Sequence, residues 1–118
     1  MNKQSLPKAF KNAFLGIVYC ARHERNMKIH LVLASLAGCL AWWLCLDHYE
    51  ILILVVTISS VLITEMLNTV VEKVVDILSP EVHPLAKIAK DVAAGAVLIS
   101  AIVSLLVGYI LFFGKMWR

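Results

Sequence analysis

Three stretches of the chain are dominated by apolar residues, and the polar ones collect in the segments between them. Residues 27–46 carry Lys28 and His30 near their start and then run apolar to Trp42 and Trp43. Residues 51–63 are apolar apart from Thr57, Ser59 and Ser60, and residues 92–113 carry no charge at all. At about 1.5 Å of rise per residue, each run can belong to a helix that crosses a hydrocarbon layer of about 30 Å. Upstream the period changes. Leu6, Phe10, Phe14, Ile17 and Ala21 recur at i, i+4, i+8, i+11 and i+15, opposite Lys8, Lys11, Asn12, Tyr19 and Arg22. That stripe predicts an amphipathic helix over residues 1–26, lying on a membrane surface with Pro7 in its first turn.

The breaks between runs set the connections. Asp47, His48, Tyr49 and Glu50 are too few for more than a turn, so the first two spans, 27–46 and 51–78, form an antiparallel pair. Ser79 and Pro80 end the second span, because proline cannot continue a helix and restricts the residue before it. Pro84 fits the first turn of a third helix over 84–113. Within it Ala96, Ser100, Ser104 and Gly108 repeat every four residues, a small-residue face for helix packing. The expected fold is therefore an all-α membrane protein, a single domain of one surface helix and three transmembrane helices.

Composition agrees: of 118 residues 61% are hydrophobic and 16% charged, too apolar for a soluble domain of this size. The net charge of +3 says less than its distribution. Lys3, Lys8, Lys11, Arg22, Arg25 and Lys28 precede or open the first span, and Lys73, Lys87 and Lys90 flank the second connection, while the first connection holds two acids and no base. An excess of Lys and Arg marks the cytoplasmic side. The N-terminus and the second connection are thus expected in the cytoplasm and the C-terminus outside, with Lys115 and Arg118 opposing but outnumbered. Cys20, Cys39 and Cys45 are odd in number, and the last two lie about 120° apart on one helix, so they are read as packing residues rather than a disulfide framework. Tyr19 before Cys20 is too bulky for a lipoprotein cleavage site, and no signal peptide is expected. No nucleic-acid partner is expected.

Chemistry concentrates in the second span. Its apolar run gives way to Thr64, Glu65, Asn68, Thr69, Glu72 and Asp76 without a Gly or Pro. At about 100° per residue Glu65, Asn68, Glu72 and Asp76 fall within roughly an 80° arc. Counted from residue 51, Glu65 lies roughly 21 Å along the helix, and Glu72 and Asp76 roughly 31 and 37 Å. One carboxylate is at lipid depth and two are in water. A carboxylate at the centre of a span costs about 2.5–3.5 kcal/mol, less towards the boundary. Met66, Leu67, Val70 and Val71 flank or follow Glu65, so an acid is set among apolar neighbours, and that calls for a function. Glu24, the lone acid in residues 1–46, suits either a surface ion pair or a metal ion. His30 reads as a boundary residue. Carboxylates near lysines at one membrane boundary suit Mg²⁺ and phosphate. Neither a Walker glycine loop nor GxGxxG occurs. Glu72 could hold the metal of a nucleotide, and Glu65, about 10 Å deeper, could take a proton from a lipid alcohol.

Two segments resemble a known family: Glu65-Met66-Leu67-Asn68-Thr69-Val70-Val71-Glu72-Lys73-Val74-Val75-Asp76, and His83-Pro84-Leu85-Ala86-Lys87-Ile88-Ala89-Lys90-Asp91-Val92-Ala93-Ala94-Gly95-Ala96. Together with the surface helix and Glu24, they are similar to the small prokaryotic integral-membrane diacylglycerol kinases and undecaprenol kinases. The resemblance implies Mg²⁺ on Glu24 and Glu72, ATP as co-substrate, and Glu65 as catalytic base. Asn68, Lys90 and Asp91 would complete the site, Asp76 would border it, and Lys87 would join Lys90 on the nucleotide. It also implies a homotrimer with sites between protomers. Where the diacylglycerol branch tends to carry a second acid near the start of the first span, this chain has His30, and its segment 83–87 looks more like the undecaprenol branch. Undecaprenol is thus the expected acceptor and diacylglycerol the alternative.

Two other functions compete. A proton-coupled transporter would use Glu65 as a relay, but needs polar groups through the whole membrane, and the outer halves of the second and third spans offer mainly Ser and Thr. A scaffold subunit without catalysis is a third reading, which pattern alone leaves open.

Overall fold

The computed structural model describes residues 5–117. The start of the expected surface helix, with Lys3, and the terminal Arg118 lie outside the described residues. Four helices follow in order: α1 (Leu6–His23), α2 (Arg25–Trp43), α3 (His48–Leu78) and α4 (Pro84–Gly108). The last continues through a π-helical turn, Tyr109–Phe113, into a final turn, Gly114–Met116.

The boundaries depart from the sequence expectation where short-range contacts decide them. Glu24 is extended (φ −102°, ψ 117°) between α1 and α2, so the surface helix ends at His23 rather than at residue 26, although the Glu24 N–H still donates to Cys20 O at 3.0 Å. The next helix accordingly starts at Arg25 and stops at Trp43, short of residue 46. Cys45 there adopts φ 55°, a left-handed conformation that glycine takes more readily, and the Leu46 N–H donates back to Ala41 O at 3.2 Å. Residues 47–50 are not a bare turn. Asp47 caps α3 by accepting from the Glu50 N–H at 2.9 Å, while Glu50 accepts from the Asp47 N–H at 3.2 Å, a reciprocal capping box. At the other end Ser79 and Pro80 stop α3 as expected, and the His83 side chain caps α4 by accepting from the Leu85 N–H at 3.1 Å.

Helices α3 and α4 pack along their length and share a hydrogen bond, Thr64 Oγ1 to Ser100 Oγ at 3.2 Å. The half-buried positions along α4 include Ala93, Val97, Ser100, Ser104 and Gly108, whereas Ala96 is exposed. A strict spacing of four drifts by about 40° per step against a 3.6-residue turn, which carries Ala96 off the contact and brings Val97 onto it. Ala41, Leu46 and Leu54 form a small buried cluster at the α2–α3 turn, with Ile58 and Phe112 against it. Beside it Lys115 reaches Glu50 at 3.3 Å, so this base is neutralised locally. Of the cysteines only Cys20 is buried; Cys39 and Cys45 are exposed and do not pack within the chain, and all three are free.

Outside these contacts the molecule turns apolar side chains outward: Phe10 is 69% exposed, Trp42 82% and Leu105 72%. This is a membrane protein's surface, since lipid tails solvate such groups as well as a protein core does. Helix α3, with 31 residues, and the continuous helix from Pro84 to Met116, with 33, are long and apolar enough to cross a membrane. Among the described residues α2 does not meet that description: it has 19 residues and opens on Arg25, Asn26 and Lys28.

Candidate active site

The expected site residues gather at one end of the bundle, but not all on one another. Glu65, the deepest, is 1% exposed, and Thr69 beneath it donates to its backbone carbonyl at 3.1 Å. Asn68, one turn on, is also buried and donates from Nδ2 to Glu72 Oε1 at 3.2 Å. Glu72 is half-buried and Asp76 exposed, so polarity rises outward along the single face expected of α3. Glu24 arrives from the α1–α2 corner, and its charge, with that of Glu72, reaches Glu65.

Two buried side-chain oxygens have no hydrogen-bond partner among the described residues: Glu65 Oε2 and Asn68 Oδ1. Such groups are rare in native proteins because an unpaired buried acceptor costs about 1–3 kcal/mol. Both belong to adjacent turns of the site. The one ionisable partner that approaches the Glu65 oxygen among the described residues is His30 Nε2 from α2, at 3.7 Å. From the sequence His30 reads as a boundary residue; a titratable side chain inside an apolar run is the signal for its place here, as it is for Glu65.

The lysines are turned elsewhere. Lys90 binds Asp76 at 2.6 Å, tying α4 to α3, and Lys87 binds Asp91 one turn on at 2.6 Å. These four residues line a cleft of about 300 Å³ against the α3–α4 connection. A second anchor holds α1 to α3: the Lys73 ammonium stands 5.7 Å from the centre of the Tyr19 ring, which stacks on His23. Tyr19, expected on the polar side of the surface helix, is thereby part of the scaffold beside Glu24.

Between α2, α3 and α4 an apolar groove of about 530 Å³ starts at His30 and passes Leu33, Leu40, Leu54 and Ile58 to Phe112. His30, which lines it, is also the residue that approaches Glu65.

The oxygens available fit Mg²⁺, a hard cation that carboxylates and phosphate oxygens hold together. Among the described residues no cluster of three or more His, Cys, Asp or Glu is placed to hold a metal alone. Glu72, which accepts from the Asn68 amide, and Glu24, whose charge reaches Glu65, are the carboxylates here that would share such an ion with phosphate oxygens.

The buried Glu65 carboxylate beside His30, the apolar groove that His30 lines and the charged cleft at the α3–α4 connection together make up the candidate site of a membrane protein. Residues 11–112 match the family described as prokaryotic diacylglycerol kinase, and the chain belongs to that family. It is 38% identical over 109 residues to the undecaprenol kinase of Bacillus subtilis (strain 168), covering 92% of this chain and 89% of that protein. It is 41% identical over 101 residues to a diacylglycerol kinase of Synechocystis, covering 85% of this chain and 58% of that longer relative. The diacylglycerol kinase of Escherichia coli (strain K12) is 39% identical over 80 residues, covering 68% of this chain and 66% of that protein. The protein is thus a lipid kinase, a phosphotransferase that uses ATP, and neither the transporter nor the scaffold reading stands.

Proposed function

We propose that the chain transfers the γ-phosphoryl group of ATP to undecaprenol at the cytoplasmic face of the cell membrane, giving undecaprenyl phosphate and ADP. The observation that carries this reading is Glu65: a buried carboxylate with an unpartnered oxygen, 3.7 Å from His30, which lines the apolar groove. The alcohol's tail lies in the groove and its hydroxyl beside Glu65. That carboxylate takes the hydroxyl proton as the alcohol oxygen bonds to the γ-phosphorus, and the bond from phosphorus to the β–γ bridging oxygen breaks to release ADP. General-base catalysis contributes about 10²–10⁴ in rate. Asn68 holds Glu72 in place. The nucleotide occupies the cleft, where Lys87 and Lys90 leave their carboxylate partners, Asp91 and Asp76, to meet phosphate charge. Glu24 and Glu72 would hold Mg²⁺ together with phosphate oxygens, and the ion would supply charge neutralisation on the phosphates.

Helix α1 lies on the membrane surface, since its stripe of Leu6, Phe10, Phe14 and Ile17 is at least half exposed in the isolated chain. Helix α2 is the third span, its polar first turn reaching into the cytoplasmic headgroup layer, and the protein works as a homotrimer. Diacylglycerol is the second candidate acceptor, favoured by the family description and by the Synechocystis and Escherichia coli relatives. Each methylene gained or lost in an apolar pocket discriminates by only about 10- to 200-fold.

The test is the purified protein in bilayers with γ-labelled MgATP and either undecaprenol or diacylglycerol. Label should enter undecaprenol faster, and Glu65→Gln should lose transfer by at least about 10²-fold while keeping its assembled size. Faster labelling of diacylglycerol would reverse the substrate assignment, and retained turnover in Glu65→Gln would remove Glu65 from the base role.

A further inference from the structure

Glu65 is buried, one of its oxygens lacks a donor, and the charged groups that act on it, Glu72 from α3 and Glu24 from the α1–α2 corner, both repel a carboxylate. A catalytic base in this position needs something to orient it and to stabilise its charged form. The side chain placed to do so is His30, which comes from a different helix and is half-buried at the mouth of the groove. At 3.7 Å its Nε2 stands just beyond hydrogen-bond length from Glu65 Oε2. Catalytic hydrogen bonds are often long in a free enzyme and tighten when substrate closes the site. The two side chains, 16% and 2% exposed, are screened from water, so a charge-assisted bond there is stronger than on a surface.

We propose that His30 is the positioning residue for Glu65: its Nε2–H donates to Glu65 Oε2 and holds the carboxylate facing the lipid hydroxyl at the mouth of the apolar groove. The proposal rests on the reading of Glu65 as the base. His30 itself touches neither nucleotide nor phosphate, and it acts through the carboxylate alone.

The consequence is a split in the kinetics. His30→Ala should lower kcat about ten- to a hundredfold, the loss expected of one hydrogen bond to a charged group. The KM for MgATP should stay within about twofold, because the cleft that receives the nucleotide is not disturbed. His30→Gln should recover most of the rate, since the Gln amide nitrogen reaches about as far along the side chain as histidine Nε2 and donates in the same way. His30→Phe keeps the ring volume without a donor. It should be as slow as His30→Ala, and it gives the readout if the alanine variant does not assemble.

Measured together in bilayers with saturating lipid, these variants separate the outcomes. A His30→Phe or His30→Ala enzyme with kcat within about twofold of the parent overturns the proposal. So does a raised KM for MgATP in place of a lowered kcat, or a His30→Gln enzyme as slow as His30→Phe, which would mean packing and not donation. Glu65→Gln, assayed in parallel, tells the two failures apart. If it is inactive while His30→Phe is normal, only the role of His30 falls. If Glu65→Gln turns over, the base itself has been misassigned and the proposal falls with it.

Discussion

Lys90 illustrates how a residue can be well placed and still be engaged elsewhere. Its ammonium is 2.6 Å from Asp76, yet both side chains are widely open to water, at 41% and 62% exposed. A pair of that kind contributes about 0–1 kcal/mol to stability, so the bond is easily exchanged for phosphate oxygens, which offer more negative charge. Lys90→Met is therefore expected to shift unfolding by less than about 1 kcal/mol while lowering kcat/KM for MgATP at least about tenfold; denaturant titration beside steady-state kinetics checks both. A loss of stability larger than the loss of activity would make Lys90 a structural strut. At this scale the site was legible where residues share one helix: the 100° step put Glu65, Asn68, Glu72 and Asp76 on one face, and burial falls along that face as the count of rise implied. It was not legible where contacts cross helices. Nothing in the spacing says that His30 meets Glu65, that Lys90 selects Asp76 over Glu72, or that Tyr19 lies under Lys73.

Helix ends follow chemistry that acts over three or four residues. Pro84 and the Ser79–Pro80 pair were sufficient to bracket the second connection, because proline's missing N–H and fixed φ leave little choice. The break at Glu24 has no such cause in its own sequence: no glycine or proline stands there, and the extended backbone reflects α1 turning away from α2. The start of α3 lies three residues before the expected 51, because Asp47 with Glu50 three residues on forms a capping box where the sequence reading has only a turn. That box also makes a testable link to pH. The Glu50 N–H, donating to the Asp47 carboxylate, holds its pKa below the ordinary aspartate range, helped by the Glu50 side chain and by Lys115. A carboxylate depressed on folding binds protons more weakly in the folded state, so its stabilisation is complete above the unfolded value near about pH 4 and fades as pH falls through the lower folded value. Asp47→Asn keeps a side-chain oxygen that can cap but cannot titrate. Between about pH 4 and pH 2 the thermal midpoint of helicity in the parent should therefore fall further than in Asp47→Asn. Parallel curves for the two proteins would show that the cap bond does not depend on the charge.

The whole molecule is organised by what one chain does not bury. Its buried apolar residues, Cys20, Met27, Ala41, Leu46, Leu54 and Val61, are few and scattered from α1 to α3, and α4 contributes no buried residue. In water that would be too little to hold four helices together; in a bilayer lipid or further copies of the chain cover the rest. Class and fold were legible for this reason, since an apolar surface has to be written in composition and run length, whereas the number of copies depends on contacts no single chain contains. If three copies assemble, cross-linking in bilayers should trap trimers and no larger ring. The division of labour within the assembly can be read separately. Glu65 and Glu72 stand two turns apart on the same helix, and the Asn68 amide, bonded to Glu72, lies between them. On the proposed reading they serve one site, and each functional site then needs both carboxylates from one chain. Chains carrying Glu65→Gln mixed with chains carrying Glu72→Gln should regain no activity, because every α3 in the mixed trimer lacks one of the pair. Recovery towards the parent rate would mean that carboxylates from different chains combine at a subunit boundary, and that the row along α3 is divided between two sites.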